Sequence, residues 1–314
     1  MTDRAPDLQN RTSPARISVV IPHLNQPAFL ARCLASLAQG QRKPDEILVV
    51  DNGSAEMPEA TCAAHAGLRL LHEAEPGPGP ARNAGVAASS GEIVAFIDAD
   101  CIADPGWLAA AEAAMADPEA TILGGDVRIA IVDPRHPTVL EAYESIYAYR
   151  MDRYIAREGF TGTGNLVVRR HVLGDVGPFA GISVAEDRDW GQRAGRKGYR
   201  IRYVPGMRVY HPARSQMSEL YRKWDRHMAH DFVAARGRRW GRLRWTAKML
   251  AMGLSPFAEI PRIMMSDRVA GTGWRLRAFV GLLRIRLYRA ARMAWLLGGG
   301  DPEALSGRWN RKPA

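Results

Sequence analysis

Short, continuously apolar segments alternate with helical segments over the first two thirds of this chain of 314 residues. The four clearest apolar segments are residues 17–21, 47–50, 68–71 and 93–97. Strands that are apolar throughout are typical of a mostly parallel sheet, because helices cover both faces of such a sheet. We therefore predict an α/β fold in which Pro22 ends the first strand, with helices over residues 27–38 and about 80–88.

Acidic residues directly follow two of the predicted strands. Asp51 follows the second strand, and Asp98 and Asp100 follow the fourth. Ligands of parallel sheets bind beyond the carboxyl ends of the strands, although a single aspartate there can also be an ordinary turn residue. Acids at two strand ends favour a binding site over two unrelated turns.

The pair Asp98 and Asp100 has a spacing that suits a metal ion. Residues two apart point the same way while the chain stays extended, so both carboxylates can face one ion. Carboxylate oxygens suit Mg²⁺ or Mn²⁺, and such an ion commonly bridges protein carboxylates to ligand phosphates. The pattern therefore predicts a divalent ion that holds a diphosphate.

The glycine- and proline-rich segment 76–85 resembles a phosphate-binding loop only superficially. Its prolines have no backbone N–H to offer a phosphate, and it contains neither the Rossmann glycine pattern nor a Walker lysine. Pro80 fits the first turn of a helix instead. Arg82 would then lie near a helix N-terminus, where it could reach a ligand phosphate, and a solvated arginine is the alternative.

Charge divides the chain into an acidic to neutral body and a basic tail. Residues 1–211 carry 22 basic and 26 acidic side chains, and residues 212–314 carry 21 basic and 7 acidic ones, a net charge of +14. We predict a flexible leader over residues 1–16, one domain over 17–211 and a basic helical extension over 212–314. Three scattered cysteines are too few for a disulfide framework, which indicates a reducing compartment.

The basic tail contains several tryptophans and two apolar stretches, residues 249–258 and 280–297. Neither reaches membrane-spanning length without a charge. Arginines attracted to anionic lipid, with tryptophans at the interface, favour a tail that lies on a membrane surface. A solvated or partner-binding face is the alternative, and the sequence has no recognisable nucleic-acid-binding pattern, so we expect no nucleic-acid partner.

A series of ordered motifs resembles the family 2 glycosyltransferases of the GT-A fold. The motifs are Val19-Val20-Ile21-Pro22 with Asn25, Val49-Val50-Asp51-Asn52-Gly53-Ser54, Ala81-Arg82-Asn83-Ala84-Gly85, Phe96-Ile97-Asp98-Ala99-Asp100, the segment 162–170 and the acidic segment 186–190. The resemblance covers about residues 17–211. It implies a Rossmann-like, mostly parallel sheet flanked by helices, with the basic extension following it.

The resemblance also implies donor-side roles. The matched positions are Pro22, Asn25, Asp51, Arg82, Asp98 and Asp100. Asp51 would contact the nucleotide base, Asp98 the ribose or a metal-bound water, and Asp100 a Mg²⁺ or Mn²⁺ ion. His211 occupies a place where many relatives have a further metal ligand, and a structural histidine is the alternative.

On the acceptor side, Asp187 would be the general base that deprotonates the acceptor hydroxyl. Glu186 leaves that assignment open by one position, because neighbouring side chains on a helix point in different directions. Gly164 and Asn165 match the acceptor-side strand of the family. Trp190 would be an acceptor platform or a core residue.

These expectations together describe an inverting glycosyltransferase that moves one sugar from a nucleotide-diphosphate donor to a saccharide or lipid-linked acceptor. UDP is the first choice of nucleotide, with GDP and dTDP open. The Gln-x-x-Arg-Trp motif of processive synthases is absent from the sequence. We expect a cytoplasmic protein on the inner face of the cell membrane, serving cell-surface polysaccharide or glycolipid synthesis. The alternatives are a sugar-phosphate nucleotidyltransferase and a non-catalytic membrane-peripheral binding protein.

Overall fold

The computed structural model describes residues 15–65, 67–182, 184–237 and 239–306, so the first fourteen residues of the predicted leader lie outside the described residues. The strands are β1 (Ile17–His23), β2 (Glu46–Asp51), β3 (Leu68–His72), β4 (Ile93–Ile97), β5 (Ile102–Ala103), β6 (Ile122–Ala130), β7 (Asn165–Arg169) and β8 (Ile201–Pro212). The helices are α1 (Pro27–Gln39), α2 (Glu59–Ala63), α3 (Pro78–Ala88), α4 (Trp107–Met115), α5 (Val139–Tyr147), α6 (Met151–Glu158), α7 (Arg170–Val176), α8 (Glu186–Arg196), α9 (Met217–Arg236), α10 (Gly241–Ala258), α11 (Ile260–Met264), α12 (Gly271–Leu297) and α13 (Pro302–Ser306).

The strands form one mixed sheet in the order β3-β2-β1-β4-β7-β6-β8-β5. The four predicted strands are β1 to β4, and they pair in parallel. Beyond β4 the sheet turns antiparallel, at the pairs of β7 with β4 and β6 and of β5 with β8. The chain adds β2 and β3 on one side of β1 and then β4 on the other. The carboxyl ends of β1 and β4 are therefore neighbours at a switch in strand order, where such sheets bind ligands.

The first strand does not end at Pro22, as the sequence predicted, but continues to His23. The pairing of β1 with β4 stops at Val20, whereas its pairing with β2 continues through Pro22 and His23. Proline is tolerated in a strand where its missing N–H faces no ladder partner. The longer strand carries His23 to the same level as Asp51 of β2.

Close packing fixes α3 and α8 against the sheet. A Cβ atom at Gly85 of α3 would lie 2.3 Å from a methyl group of Val20, so only glycine allows this approach of α3 to β1. The first turn of α8 contains three acidic residues, which the helix dipole favours at that end. Trp190 of α8 packs in the same buried cluster as Phe96 of β4.

The chain divides into two compact units. One comprises Met1–Val127 and Arg150–His211, and the other comprises Arg128–Tyr149 and Pro212–Ala314. The second unit thus includes α5, which precedes the basic tail in the chain, and the domain boundary predicted at residue 211 stays a prediction. Within this unit α12 lies so close to α5 that a Cβ atom at Gly281 would be 2.8 Å from the Cβ of Tyr143.

The predicted C-terminal helical extension is present as α9 to α13. Across residues 15–65, 67–182, 184–237 and 239–306, every helix is either too short or too polar to cross a bilayer.

Candidate active site

An arginine in the first turns of α3 joins two acids that are far apart in the chain. Arg82 donates from Nη2 to Asp98 Oδ1 at 2.5 Å and from Nη1 to Glu186 Oε1 at 3.0 Å. The Arg82 side chain is buried, and both carboxylates are partly exposed. Because a buried guanidinium needs charged partners, this pairing holds the end of β4 and the start of α8 at one place.

The backbone of Gly164, just before β7, packs on the carboxylate of Asp98. A Cβ atom at position 164 would lie 2.4 Å from Asp98 Oδ2 and 2.8 Å from its Cγ. Asp98 cannot easily move aside, because Arg82 holds its other oxygen. The structure therefore explains why glycine stands at position 164, and its predicted contact with an acceptor stays a prediction.

The short strand β5 brings a histidine next to Asp100. Ile102 of β5 pairs with Tyr210 of β8, so His211 comes to lie beside the residues that precede β5. His211 Nε2 lies 3.3 Å from Asp100 Oδ2, and about a fifth of each side chain is exposed, 23% and 22%. Burial opposes ionisation of Asp100, but the hydrogen bond with His211, the charge of that imidazole and the hydrogen bond from the Cys101 thiol together hold the pKa of this carboxyl below its ordinary value.

Asp100 and His211 could supply only some of the ligands of a divalent ion. Among the residues that the structure describes, no group of three or more histidine, cysteine or acidic side chains is arranged to hold an ion. One carboxylate and one imidazole suit an ion that takes its other ligands from phosphate oxygens and water, as Mg²⁺ commonly does. Asp98 is already paired with Arg82 at one oxygen, and its predicted contacts with an ion, a metal-bound water or the ribose stay predictions.

Asp187 is the second residue of α8 and is half-buried. Burial raises the pKa of the Asp187 carboxyl, the negative charge of Glu186 raises it further, and a hydrogen bond from the Arg188 N–H at 2.7 Å opposes the rise. A carboxylate with a raised pKa is a better proton acceptor. Glu186, by contrast, is engaged by Arg82. This difference favours Asp187 for the general base that the sequence left open by one position.

The loops after β1 and β2 are tied together around Asp51. His23 Nε2 accepts the Gln26 N–H at 3.2 Å, so a neutral His23 carries its proton on Nδ1 and donates it to Asp51 Oδ1 at 2.9 Å. Ser54 donates its hydroxyl and its N–H to the same carboxylate. Burial opposes ionisation of Asp51, but these hydrogen bonds hold its pKa below the ordinary value.

Pro22 and Asn25 flank His23 at this edge of the sheet. Asn25 has a φ of 54°, a left-handed conformation that asparagine tolerates, and its Oδ1 accepts the Ala55 N–H at 2.8 Å. Asn25 also donates its own N–H to Ser54 Oγ. The side chain of Asp51 is buried beneath this network. Contacts of Pro22, Asn25 and Asp51 with a nucleotide stay predictions.

Two asparagines of the motifs hold loops in place, a role that the sequence did not reveal. Asn52 donates to the carbonyls of Glu73 and Glu75 and accepts the Gly77 N–H at 2.6 Å. Asn83 of α3 exchanges two hydrogen bonds with the backbone of Phe179, at 2.8 and 2.9 Å. Only their positions just after Asp51 and Arg82 could have pointed to them.

Asn165 opens β7 and is fully buried. Its Oδ1 accepts the Trp107 indole N–H at 2.8 Å, and its Nδ2 donates to the carbonyls of Asp126 and Met207 at 3.0 and 2.9 Å. The side chain therefore joins α4, β6 and β8 to β7. Trp190 is buried as well and donates to the Gly177 carbonyl at 3.0 Å. Acceptor contacts of these two residues stay predictions, and the structure gives both a part in the core.

We expect Asn165→Leu to destabilise the protein by about 3–5 kcal/mol, because it leaves an indole N–H and two carbonyls buried without partners. Urea or thermal unfolding would measure the change. Gln39→Ala is the matched control, since Gln39 is exposed at the end of α1, and should shift stability by less than about 0.5 kcal/mol. Equal stability of Asn165→Leu and wild type would contradict the structural role.

Comparison with known proteins identifies the family of this chain. The model of "Glycosyl transferase family 2" matches residues 18–185, more than half of the chain. This chain belongs to glycosyl transferase family 2. The family resemblance predicted from the motifs is confirmed, and the chain is a glycosyltransferase with a nucleotide-sugar donor.

Two curated relatives cover about two thirds of the chain. Glycosyltransferase AglE of Haloferax volcanii is 34% identical over 216 residues, which are 66% of this chain and 70% of AglE. The pre-mycofactocin glycosyltransferase of Mycobacterium tuberculosis is 30% identical over 214 residues, which are 65% of this chain and 44% of that protein.

A solved structure confirms the predicted GT-A type fold. The mannosyltransferase PcManGT from Pyrobaculum calidifontis, solved with GDP-Man and Mn²⁺, aligns with 95% of this chain and 91% of its own, at a TM-score of 0.56 and 19% identity. At that identity the similarity is one of fold.

Because the chain is a glycosyltransferase, the close contact of Gly164 with Asp98 can be tested by measuring the rate of sugar transfer. We expect Gly164→Ala to lower the rate of sugar transfer by about 10²-fold, because the new methyl group displaces Asp98 and a shift of about 1 Å at an active site costs that much. Steady-state kinetics would measure the loss. Gly174→Ala in α7, where a Cβ atom meets nothing within 4 Å, should keep the wild-type rate. Wild-type kinetics for Gly164→Ala would refute a constrained Asp98.

Proposed function

We propose that this family 2 member is an inverting glycosyltransferase that moves a single sugar from a nucleotide-diphosphate donor to an acceptor hydroxyl. The observation that carries the proposal is the double ion pair of Arg82 with Asp98 and Glu186. It brings the start of α8, with Asp187, to the end of β4. This supports the proposal that Asp187 and Asp98 serve one site.

In the proposed reaction the acceptor oxygen attacks the anomeric carbon while Asp187 takes the hydroxyl proton. The bond between the anomeric carbon and the diphosphate oxygen breaks, and its electron pair leaves with the nucleoside diphosphate. A single displacement of this kind inverts the anomeric configuration. The raised pKa of Asp187 suits it to accept the proton, and Arg82 keeps Glu186 from competing for that role.

Asp100 and His211 are the residues proposed to hold Mg²⁺ or Mn²⁺. A bound divalent ion supplies positive charge that stabilises the diphosphate leaving group. Pro22, Asn25, Asp51 and Asp98 are proposed to form the nucleotide side of the site. The side chain of Asp51 is buried, so it is proposed to act on the base indirectly, by anchoring the loops after β1 and β2. Arg82 is proposed to add positive charge beside the phosphates, and Gly164, Asn165 and Trp190 to shape the acceptor side.

The donor nucleotide is proposed to be UDP first, with GDP and dTDP as the other candidates. GDP-Man with Mn²⁺, bound to PcManGT, is one example of such a donor on this fold. The acceptor is proposed to be a saccharide or a lipid-linked saccharide in cell-surface polysaccharide or glycolipid synthesis, reached by a protein that associates peripherally with the inner face of the cell membrane.

A thermal-shift panel of UDP, GDP, dTDP and UTP, each with and without Mn²⁺, tests this function. We expect one diphosphate to raise the melting temperature by roughly 5–10 °C at saturation, and only with the ion. The responding nucleotide names the donor. ¹H NMR of the transfer product would then give the anomeric configuration.

The panel also separates the alternatives. A response to the triphosphate alone would favour a nucleotidyltransferase, which binds a triphosphate substrate. No response to any nucleotide, with or without the ion, would favour a non-catalytic binding protein. Retained anomeric configuration in the product would refute single displacement.

A further inference from the structure

An apolar stripe runs along the exposed face of α10. Leu243, Leu250, Leu254 and Phe257 are 59–70% exposed. They are spaced by seven, four and three residues, so they lie within a narrow arc of the helix. Large apolar side chains in a row on an exposed surface mark an interaction site more often than a chance arrangement.

A second stripe lies on α12. Leu276, Val280 and Leu287 are 36–64% exposed and are spaced by four and seven residues. The opposite side of α12 is covered, because Ala278, Ile285 and Leu296 on that side are at most 2% exposed. The helix is therefore apolar on two sides, and helices of its own unit cover only one of them.

The two stripes face the same way. The Trp245 indole N–H of α10 donates to the Met293 carbonyl of α12 at 3.2 Å, and Phe257 lies 6.0 Å from Phe279, centroid to centroid. These contacts make the helices antiparallel neighbours. On each helix the stripe lies about a quarter turn around the helix axis from the residues that contact the other helix. The turn has the same sense along both chains, and because the helices are antiparallel, both stripes lie on one side of the pair.

Basic side chains flank this apolar face on both outer sides. Arg244 projects from α10 on the side away from α12, and Arg277 and Arg284 project from α12 on the side away from α10, each about a quarter turn from its stripe. The two helices contain nine lysine and arginine residues and no aspartate or glutamate. Ile260, Met264 and Met265, in and just after α11, add exposed apolar side chains.

We infer that the face formed by α10 and α12 lies on a bilayer surface that contains anionic lipid, with both helices parallel to the membrane plane. Apolar side chains would enter the acyl boundary, and the flanking arginines would meet lipid phosphates. This inference rests on the proposed function, because a lipid-linked acceptor is what would require the protein to bind a membrane.

A second copy of this chain fits the face less well. In a symmetric dimer the arginines beside one face would approach those of the other, and neither helix carries an acid to compensate them. Anionic lipid offers both an apolar layer and negative charge. The predicted interfacial tryptophans contribute little, because Trp245 is buried, and only Trp240 and Trp295 among those in the described residues are well exposed.

Vesicle flotation of the full chain tests the inference, with vesicles of phosphatidylcholine alone or mixed with phosphatidylglycerol. We expect wild type to float with the anionic vesicles. Leu250→Gln with Leu254→Gln should lower partitioning roughly a hundredfold. Arg277→Gln with Arg284→Gln should lower it about 25-fold on anionic vesicles only, about fivefold per arginine. Val233→Gln on α9, 61% exposed but outside the face, is the matched control and should bind as wild type does.

The same variants separate failure of this inference from failure of the proposed function. The metal-dependent nucleotide shift, measured without vesicles, should be equal in all of them and shows that each is folded. If the protein floats with anionic vesicles but no nucleotide shifts its melting temperature, the proposed function is contradicted and the membrane-binding face is supported. Wild type that stays unbound, or a double leucine variant that floats as well as wild type, would overturn the inference. A dimer that the leucine changes dissociate, without vesicle binding, would assign the face to a second copy.

Discussion

Asp187→Asn is expected to lower kcat for sugar transfer by about 10²–10⁴-fold while leaving nucleotide binding unchanged. A positioned general base contributes a factor of that size, and an amide cannot take the proton of the acceptor hydroxyl. Folding should not suffer, because asparagine keeps the shape of the side chain and the oxygen that accepts the Arg188 N–H. A radiolabelled-donor transfer assay, run beside a thermal-shift measurement with nucleotide and Mn²⁺, separates chemistry from binding.

Two variants of the same helix serve as controls. Asp189 is paired with Arg193 at 2.8 Å on α8, so Asp189→Asn should keep the wild-type rate. Glu186→Gln removes the charge of one partner of Arg82 and is expected to cost less than about tenfold, because Glu186 positions Arg82 and does not accept the proton. A larger loss for Glu186→Gln than for Asp187→Asn would move the base to Glu186.

The pH dependence of the rate reports on the same group. Burial and the charge of Glu186 raise the pKa of Asp187, so the rate should fall on the acid side at a pH above the ordinary aspartate range. Protonation removes the acceptor, which is why the loss comes as pH falls. Glu186→Gln takes away one cause of the rise and should move this acid limb to lower pH. An acid limb that is unchanged in this variant would contradict the coupling between the two carboxyls.

Asp100→Asn is expected to abolish the metal-dependent part of nucleotide binding and to lower the transfer rate by at least about 10²-fold. A neutral amide is a much weaker ligand for a hard divalent ion, and the charge stabilisation that the ion gives the leaving group is worth several kcal/mol. Mn²⁺ titrations of transfer activity would measure both effects. His211→Gln should raise the Mn²⁺ concentration needed for half activity and lower the maximal rate less.

The control for Asp100 is another aspartate that is paired with a basic residue. Asp117 accepts from Arg202 at 2.6 Å outside the site, and Asp117→Asn should leave the Mn²⁺ dependence as in wild type. If Asp100→Asn kept both the rate and the Mn²⁺ dependence, Asp100 would not be a metal ligand. The site would then need another account of how the diphosphate charge is neutralised.

Strand-end acids were predictable from the sequence because parallel strands bring their carboxyl ends to one edge. The sequence alone places Asp51 and Asp98 at such ends, and β1 to β4 pair in parallel as the sequence predicts. It did not show that Arg82 binds Glu186, since 104 residues separate them and only the fold makes them neighbours. The sequence also predicts too early an end for β1. A strand can include Pro22 here only because the pairing of β1 with β4 stops at Val20, which the sequence does not show.

Side-chain burial was the least predictable feature of the site and of the tail. Asn165 follows a glycine-rich turn and carries a polar side chain, which suggests exposure, yet three partners from distant segments enclose it. α12 has apolar residues around most of its circumference, so periodicity alone did not tell which side the neighbouring helices cover. Contacts such as Gly281 on Tyr143 decide that question and leave the stripe with Leu276 and Leu287 outward.

The most direct test of the central claim is the position of Mn²⁺ in crystals soaked with Mn²⁺ and the nucleoside diphosphate that the thermal-shift panel selects. Anomalous diffraction locates the ion without assumptions about the protein. We predict a peak bonded to the Asp100 carboxylate and to diphosphate oxygens, with Asp187 facing the same cleft. An ion bound away from Asp100, or a diphosphate that occupies a surface remote from both aspartates, would contradict this account.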